Sequence, residues 1–167
     1  MIVFLYLFAS PALAIDPEAD RIADEMLKYA KTGKWRAVER RYVQLLREYP
    51  DVLDNESHHL AAAAARESGN LLGAAQRLMR IEEAKAQAGA AIGDLKALEQ
   101  QTGLVMLTGK ELVTSAMPFD PHFRKAVDAA CSKIKEEGVF VGLLPAGGYT
   151  LDGRVFEVAP GFVWQVP

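Results

Sequence analysis

A glycine turn that occurs twice, 36 residues apart, constrains the fold of this chain more than any other feature. Gly33-Lys34-Trp35 lies between two segments with apolar residues at helical spacing, and Gly69-Asn70-Leu71 lies between two more. Glycine adopts the left-handed geometry that follows a helix C-terminus, and a short connection makes consecutive helices antiparallel. The recurrence therefore predicts two successive helical hairpins in matching register.

Local signals give the limits of the predicted helices. Residues 17–31 form the first helix, with Asp16 as its N-cap, and the second begins near Trp35 and stops at Pro50. Two hairpin repeats leave an apolar face uncovered, so a capping helix is expected after them. Residues 90–101 have apolar side chains at helical spacing and are predicted to form that cap.

The two hairpins share turn, aromatic and small residues at corresponding positions. The first copy has Tyr29, Gly33-Lys34-Trp35, Val38, Tyr42, Leu45 and a closing Pro50. The second copy retains Gly69-Asn70-Leu71, Ala74 and Leu78, but has Ala65 in place of the aromatic residue and Ala86 in place of the proline. This pattern, over about residues 18–87, resembles the tetratricopeptide repeat (TPR) family.

The resemblance implies a concave groove, lined by the first helix of each hairpin, that binds an extended peptide or a partner helix. In this sequence the family's groove positions fall on Ala23, Leu27, Ala30 and Lys31 in the first copy, and on His59, Ala63, Arg66 and Glu67 in the second. Lys31 and Arg66 are the expected polar contacts, because both side chains can hold carboxylates or backbone carbonyls.

The composition changes at Thr102-Gly103, and β-branched residues without helical period become frequent. We expect strands here, a helix over residues 121–137 between Asp120 as N-cap and Gly138, and a β-hairpin at Asp152-Gly153. The predicted fold class is α+β. A helical domain at residues 15–102 precedes a small domain at 103–167, which has a short antiparallel sheet and one packed helix.

The segment LPAGGYTLDGRVFEVAPGF, residues 144–162, resembles small extracytoplasmic β modules of the PEGA or transthyretin-like kind. Four aromatic residues in and after it are a possible platform for sugar rings, with core packing as the competing interpretation. They are Tyr149, Phe156, Phe162 and Trp164.

The first 14 residues, MIVFLYLFASPALA, are typical of a secretory signal peptide cut after Ala14, although no Lys or Arg precedes the apolar run. They are too few to span a bilayer core, which needs about 20 residues. The sequence therefore predicts a periplasmic or secreted protein that does not span the membrane once the signal is cleaved.

Charge and residue spacing favour binding over catalysis. A net charge of -3 does not suggest a nucleic-acid partner. His58 and His59 are adjacent, which is not the spacing of a helical metal pair, and Cys131 is predicted to be a core residue, so neither a metal nor a cofactor is expected. A basic patch is either a site for an acidic peptide or anionic envelope polymer, or a solvated helix face. It comprises Lys31, Lys34, Arg36, Arg40, Arg41 and Arg47.

These observations favour an exported, non-enzymatic protein-interaction or scaffold module of the bacterial cell envelope, with a protein or peptide as its partner. The alternative is a carbohydrate- or peptidoglycan-binding or hydrolase-like activity in the β-rich part. A purely structural fragment of a larger assembly is a third interpretation.

Overall fold

The computed structural model describes residues 16–81 and 88–166, so the predicted signal peptide at residues 1–14 and the alanine at position 86 lie outside the described part. Within it the chain has an α+β fold with helical hairpins on the N-terminal side. The helices are α1 Pro17–Lys31, α2 Trp35–Glu48, α3 Asn55–Glu67, α4 Leu71–Leu78, α5 Ala88–Gln101 and α6 Pro121–Glu137. The strands are β1 Thr102–Thr108, β2 Leu112–Thr114, β3 Val139–Pro145, β4 Gly147–Leu151, β5 Arg154–Val158 and β6 Gly161–Gln165.

Both predicted glycine turns are present and have the same hydrogen bonds. Gly33 and Gly69 have φ values of 67° and 78°, which is left-handed geometry. In each turn the glycine N–H donates three residues back, and the next N–H donates five residues back, to Tyr29 and Ala65 respectively. These two hydrogen bonds satisfy the last carbonyl groups of a helix, so the two turns end α1 and α3 in the same way.

Side chains cap most of the helices. Asp16 and Asp120 accept backbone N–H groups at the starts of α1 and α6, as predicted, and Asp54 does the same for α3. Asn70 caps α4 by accepting the N–H of Gly73 at 2.9 Å. Because these bonds replace missing intrahelical partners, they fix where each helix begins.

The first hairpin and α3 enclose an apolar core of their own. It is built from Ile22, Met26, Val38, Tyr42 and Leu45, which are almost fully buried, together with alanines of α1 and α3. The small alanine side chains let the helix backbones approach one another closely.

The strands form two three-stranded sheets, with orders β3-β1-β6 and β2-β4-β5. Three of the four strand pairs are antiparallel, as predicted, but β6 pairs parallel with β1. Strand β3 already occupies one edge of β1 as its antiparallel partner. The chain arrives from the other sheet and enters β6 at Gly161, opposite Gly103 at the start of β1, so the two strands run in the same direction.

The predicted boundary between residues 102 and 103 does not separate two cores. Helix α5 ends at Gln101 and β1 begins at the next residue, so no linker intervenes. Leu104 and Leu143 of the first sheet pack in one cluster with Leu71 and Leu98 of the helices. The helical region and the β-rich region are therefore joined by continuous apolar packing.

Helix α6 covers a third apolar cluster, which is formed by residues of the two sheets. Val127, Ala130 and Ile134 of α6 pack there with residues of both sheets, such as Leu107 and Tyr149. Within residues 16–81 and 88–166, every helix is too short or too polar to pass through a bilayer.

Candidate functional site

An ion-pair cluster lies at the second-copy positions of the predicted groove. In the second copy, His59 Nε2 and Arg66 Nη1 lie 3.5 Å and 3.9 Å from the carboxylate oxygens of Asp94 on α5. Arg66 therefore has an intramolecular carboxylate beside it, and Ala63 lies half-buried on the same helix. The prediction that Arg66 contacts a partner stays a prediction, and the structure adds that a partner's carboxylate would compete with Asp94 of the capping helix for this guanidinium.

The first-copy groove positions have no such partner. Leu27 is half-buried, and Lys31 is exposed and forms no ion pair with any described residue. No hydrogen bond or ion pair among the described residues joins Leu27 or Lys31 to His59 or Arg66. Leu27 and Lys31 lie on α1, whereas His59, Ala63 and Arg66 lie on α3, so the groove between the two helices stays a prediction.

The four aromatic residues do not form an exposed platform. Tyr149 is 2% exposed and stacks on Phe156 with ring centroids 5.8 Å apart, and its hydroxyl donates to the Pro145 carbonyl at 2.9 Å. Burial raises the pKa of Tyr149 to about 12. Phe162 packs against the cluster that joins the helices to the first sheet, and Trp164 is the only one of the four that is largely exposed. Of the two interpretations, core packing describes Tyr149 and Phe156, because strand alternation turns both side chains into the apolar cluster that α6 covers.

A cleft of about 810 Å³ lies where the first hairpin turn, the end of α3 and the start of α6 meet. We call it the basic cleft. It is lined by Gly33, Lys34, Trp35, Arg36, Ala37, Glu39, Arg40, Ala64, Glu67, Ser68 and Lys125. Three elements that are distant in sequence therefore form one concave surface, within the size range of ligand pockets.

The cationic side chains of the basic cleft outnumber the available carboxylates. Glu39 is bound by Arg77 through two hydrogen bonds of 2.6 Å and 2.5 Å, and Glu67 is bound by Lys125 at 3.0 Å. Three further cations are exposed and form no ion pair with any residue in the described ranges. They are Lys34, Arg36 and Arg40. The cleft therefore has an uncompensated positive charge.

The start of α2 adds to this positive potential. Its N-cap residue is Lys34, which makes no side-chain cap, and its first turn contains no acidic residue. By contrast, α1, α3, α4 and α6 each have an Asp or Asn cap. Uncapped N–H groups at a helix start attract negative charge, and helices usually have an acidic residue there. Helix α2 has a lysine in that position instead.

The walls of the basic cleft are partly apolar. Trp35 is half-buried against the core of the first hairpin, and Ala37 and Ala64 also line the cleft. An aromatic ring beside free guanidinium groups suits a ligand that has both carboxylates and apolar surface.

The predicted basic patch is only partly present. Lys34, Arg36 and Arg40 line the cleft, whereas Arg41 binds Glu25 of α1 at 2.7 Å and Arg47 pairs with its neighbour Glu48. The contribution of Lys125 was missed by sequence analysis. No periodic or motif signal links Lys125 to residues of α2, because the contact depends on how α6 packs against α3.

His58 and Cys131 are packed among core residues, and neither has the surroundings of a reactive group. Tyr42 Oη and His58 Nδ1 are 3.1 Å apart in the helical core, where burial lowers the pKa of His58. Cys131 is half-buried with its Sγ 3.2 Å from the Leu112 carbonyl, and burial raises the pKa of its thiol, which disfavours the reactive thiolate. Among the residues that the structure describes, no three His, Cys, Asp or Glu side chains converge as metal ligands.

Comparison of the chain with models of protein families, with curated proteins and with solved structures finds no match. The basic cleft is therefore interpreted from its own geometry and charge.

Proposed function

We propose that this chain is an exported, non-enzymatic protein-interaction module whose basic cleft binds an acidic segment of a partner polypeptide. The observation that carries the proposal is the charge of the cleft: three free cations face it, and both of its carboxylates are already bound. Export to the cell envelope is supported by residues 1–14, whose sequence is typical of a signal peptide.

The chemistry of the cleft favours a polypeptide carboxylate over a sugar. Arginine binds a carboxylate through two parallel hydrogen bonds, and Arg36 and Arg40 lie one helical turn apart on α2. Successive acidic side chains of a peptide can therefore meet successive guanidinium groups. The sugar-binding alternative has weaker support, because Tyr149 is packed in the core.

The affinity is expected to be modest and strongly dependent on salt. The free cations are exposed, and exposed ion pairs contribute about 0.2–1 kcal/mol each, with screening over about 10 Å at 0.1 M salt. A weak, charge-directed interaction of this kind suits a scaffold that exchanges partners.

The proposal is tested by fluorescence anisotropy with a fluorescein-labelled hexaglutamate peptide. We expect binding by the wild-type chain at low salt and at least about tenfold weaker binding by the double variant Arg36→Glu/Arg40→Glu, because charge reversal repels the peptide. Lys96→Glu/Lys135→Glu is the matched control, since it changes the net charge by the same amount and both lysines are exposed outside the cleft. Equal weakening by this control, or unchanged binding by the Arg36→Glu/Arg40→Glu variant, would contradict the proposal.

A further inference from the structure

The first hairpin separates its charges along its length. Residues 16–25 contain five carboxylates and one arginine, whereas residues 28–41 contain six cations and one carboxylate. The acidic segment is the first half of α1, and the basic segment surrounds the turn that opens into the basic cleft. A single helical hairpin therefore has one strongly negative part and one strongly positive part.

The negative part lies too far along the hairpin to neutralise the whole cleft of its own copy. The Arg41–Glu25 ion pair fixes the level at which α1 and α2 face each other. Asp20 lies five residues from that level on the side away from the turn, and Arg36 lies five residues from it on the turn side. At 1.5 Å per helical residue, the two are separated by about 15 Å along the hairpin axis. This exceeds the screening length of about 10 Å at 0.1 M salt, so the attraction between Asp20 and Arg36 within one copy is weak. Asp24 and Arg40 lie only about 3 Å apart along the axis, but they form no ion pair with each other.

Two carboxylates of the acidic segment remain free. Glu18 and Glu25 both pair with Arg21, while Asp20 and Asp24 are exposed and form no ion pair with any described residue. Asp20 and Asp24 lie four residues apart, which places them on the same helix face. Like charges at this spacing repel each other, so a cationic partner would relieve the repulsion.

The free cations of the cleft have the same spacing. Arg36 and Arg40 are also four residues apart, on α2. Two helices that lie side by side can therefore join the two carboxylates to the two guanidinium groups at the same axial repeat of about 6 Å. Within one copy the structure makes neither of these pairs, because each helix uses another face, with Arg41 and Glu25, to contact its neighbour.

From this match we infer that the basic cleft of one copy binds the acidic face of α1 in a second copy of this chain. The inference rests on the proposed function and names the partner. The contact is heterologous, since the cleft and the acidic face are different surfaces, so each copy has both halves of the contact available. Contacts of this type extend into open chains of copies unless the rotation between copies closes a ring.

The test is sedimentation velocity of the full-length chain over a range of concentrations. At about 20 mM salt we expect the sedimentation coefficient to rise with concentration, and at about 300 mM salt we expect the monomer, because the contact is screened. Asp20→Lys/Asp24→Lys and Arg36→Glu/Arg40→Glu should each sediment as monomers at low salt. An equimolar mixture of these two double variants should associate again, because opposite charges then face each other between unlike copies.

Glu99→Lys/Glu136→Lys is the matched control, since it reverses two exposed carboxylates away from α1 and should leave association unchanged. A wild-type chain that remains monomeric at low salt overturns the inference, as does a mixture that fails to associate while both variants retain wild-type circular dichroism. Hexaglutamate titration distinguishes the two levels. Peptide binding by a monomeric wild-type chain leaves the proposed function standing without the inference, whereas loss of both results rejects both.

Discussion

The two glycine turns are locally equivalent but have different surroundings. Gly33 and Gly69 have similar φ values and the same hydrogen bonds. A Cβ atom built on Gly33 would meet nothing within 4 Å, whereas one on Gly69 would lie 2.6 Å from the backbone carbon and oxygen of Lys125. The first turn is open to solvent beside the basic cleft, and the second is pressed against α6.

The cores of the two hairpins differ in the same way. The first hairpin packs with α3 in a cluster whose fully buried residues all lie on helices. The second hairpin packs with the first sheet through Leu104 and Leu143, and with α6 through Ala126. The same sequence pattern therefore forms a hairpin at the end of the helical region in the first copy, and a hairpin enclosed by the sheet and α6 in the second copy.

The largest expected effect is a difference in stability between alanine substitutions in the two glycine turns. Gly69→Ala should lower the free energy of unfolding by about 3 kcal/mol, since left-handed strain costs about 1–2 kcal/mol and the clash with the α6 backbone adds a similar amount. Gly33→Ala should cost only the strain, about 1 kcal/mol. Urea unfolding followed by circular dichroism measures both values. Equal losses for the two variants would show that the contact between Gly69 and the α6 backbone does not affect stability.

The second expected effect concerns the link between the hairpins. Arg77 of α4 binds Glu39 of α2, donates to the Ala61 carbonyl at 2.7 Å and lies 4.8 Å from the centroid of the Tyr42 ring. Glu39→Ala leaves this mostly buried guanidinium without its counter-charge, and we expect a loss of about 2 kcal/mol in the same unfolding measurement.

A matched carboxylate control sharpens this result. Among the described residues, the side chain of Glu48 is bonded only by Arg47 and Gln44, on the surface of α2. Glu48→Ala is expected to leave stability unchanged, because exposed ion pairs contribute little. If Glu39→Ala were as harmless as Glu48→Ala, the two hairpins would be held together by apolar packing alone.

The smallest expected effect is a pH dependence of the helical core. Burial, with a smaller contribution from the charge of Arg80, lowers the pKa of His58 below its ordinary value of 6.5. The unfolded chain then binds a proton at a higher pH than the folded chain does. Stability is therefore complete above about pH 6.5 and decreases as the pH falls towards the folded pKa.

The measurement is the urea midpoint of the wild-type chain and of His58→Gln between neutral and mildly acidic pH. The variant should lose less stability than wild type over this range, because glutamine does not titrate. His59→Gln is the control, since His59 is half-exposed and pairs with Asp94 outside this core. Parallel curves for wild type and His58→Gln would remove His58 as the source.

Local signals predicted most of the elements. Asp16 and Asp120 marked the starts of α1 and α6, and the Asp152-Gly153 turn joins β4 to β5 as expected. Strand β5 has the alternation typical of a half-buried strand, with Val155 exposed and Val158 buried. Such features depend on contacts within a few residues, which is why a single sequence contains them.

The relations between elements were not predictable in this way. The parallel pairing of β6 with β1 and the position of Asp94 beside Arg66 both depend on the packing of distant segments. The TPR resemblance describes the shape of each hairpin and does not say what covers it.

The sequence by itself determined the helical hairpins, their caps and turns, the α+β composition and the separation of charge along residues 16–41, because each arises from neighbours along the chain. Tertiary structure alone decided that Lys34, Arg36 and Arg40 face a cleft shared with Lys125, and that Glu39 and Glu67 are already bound there. The physical reason is range. A helix or turn forms from local hydrogen bonds and spacing, whereas a concave charged surface exists only after apolar packing has brought α2, α3 and α6 together.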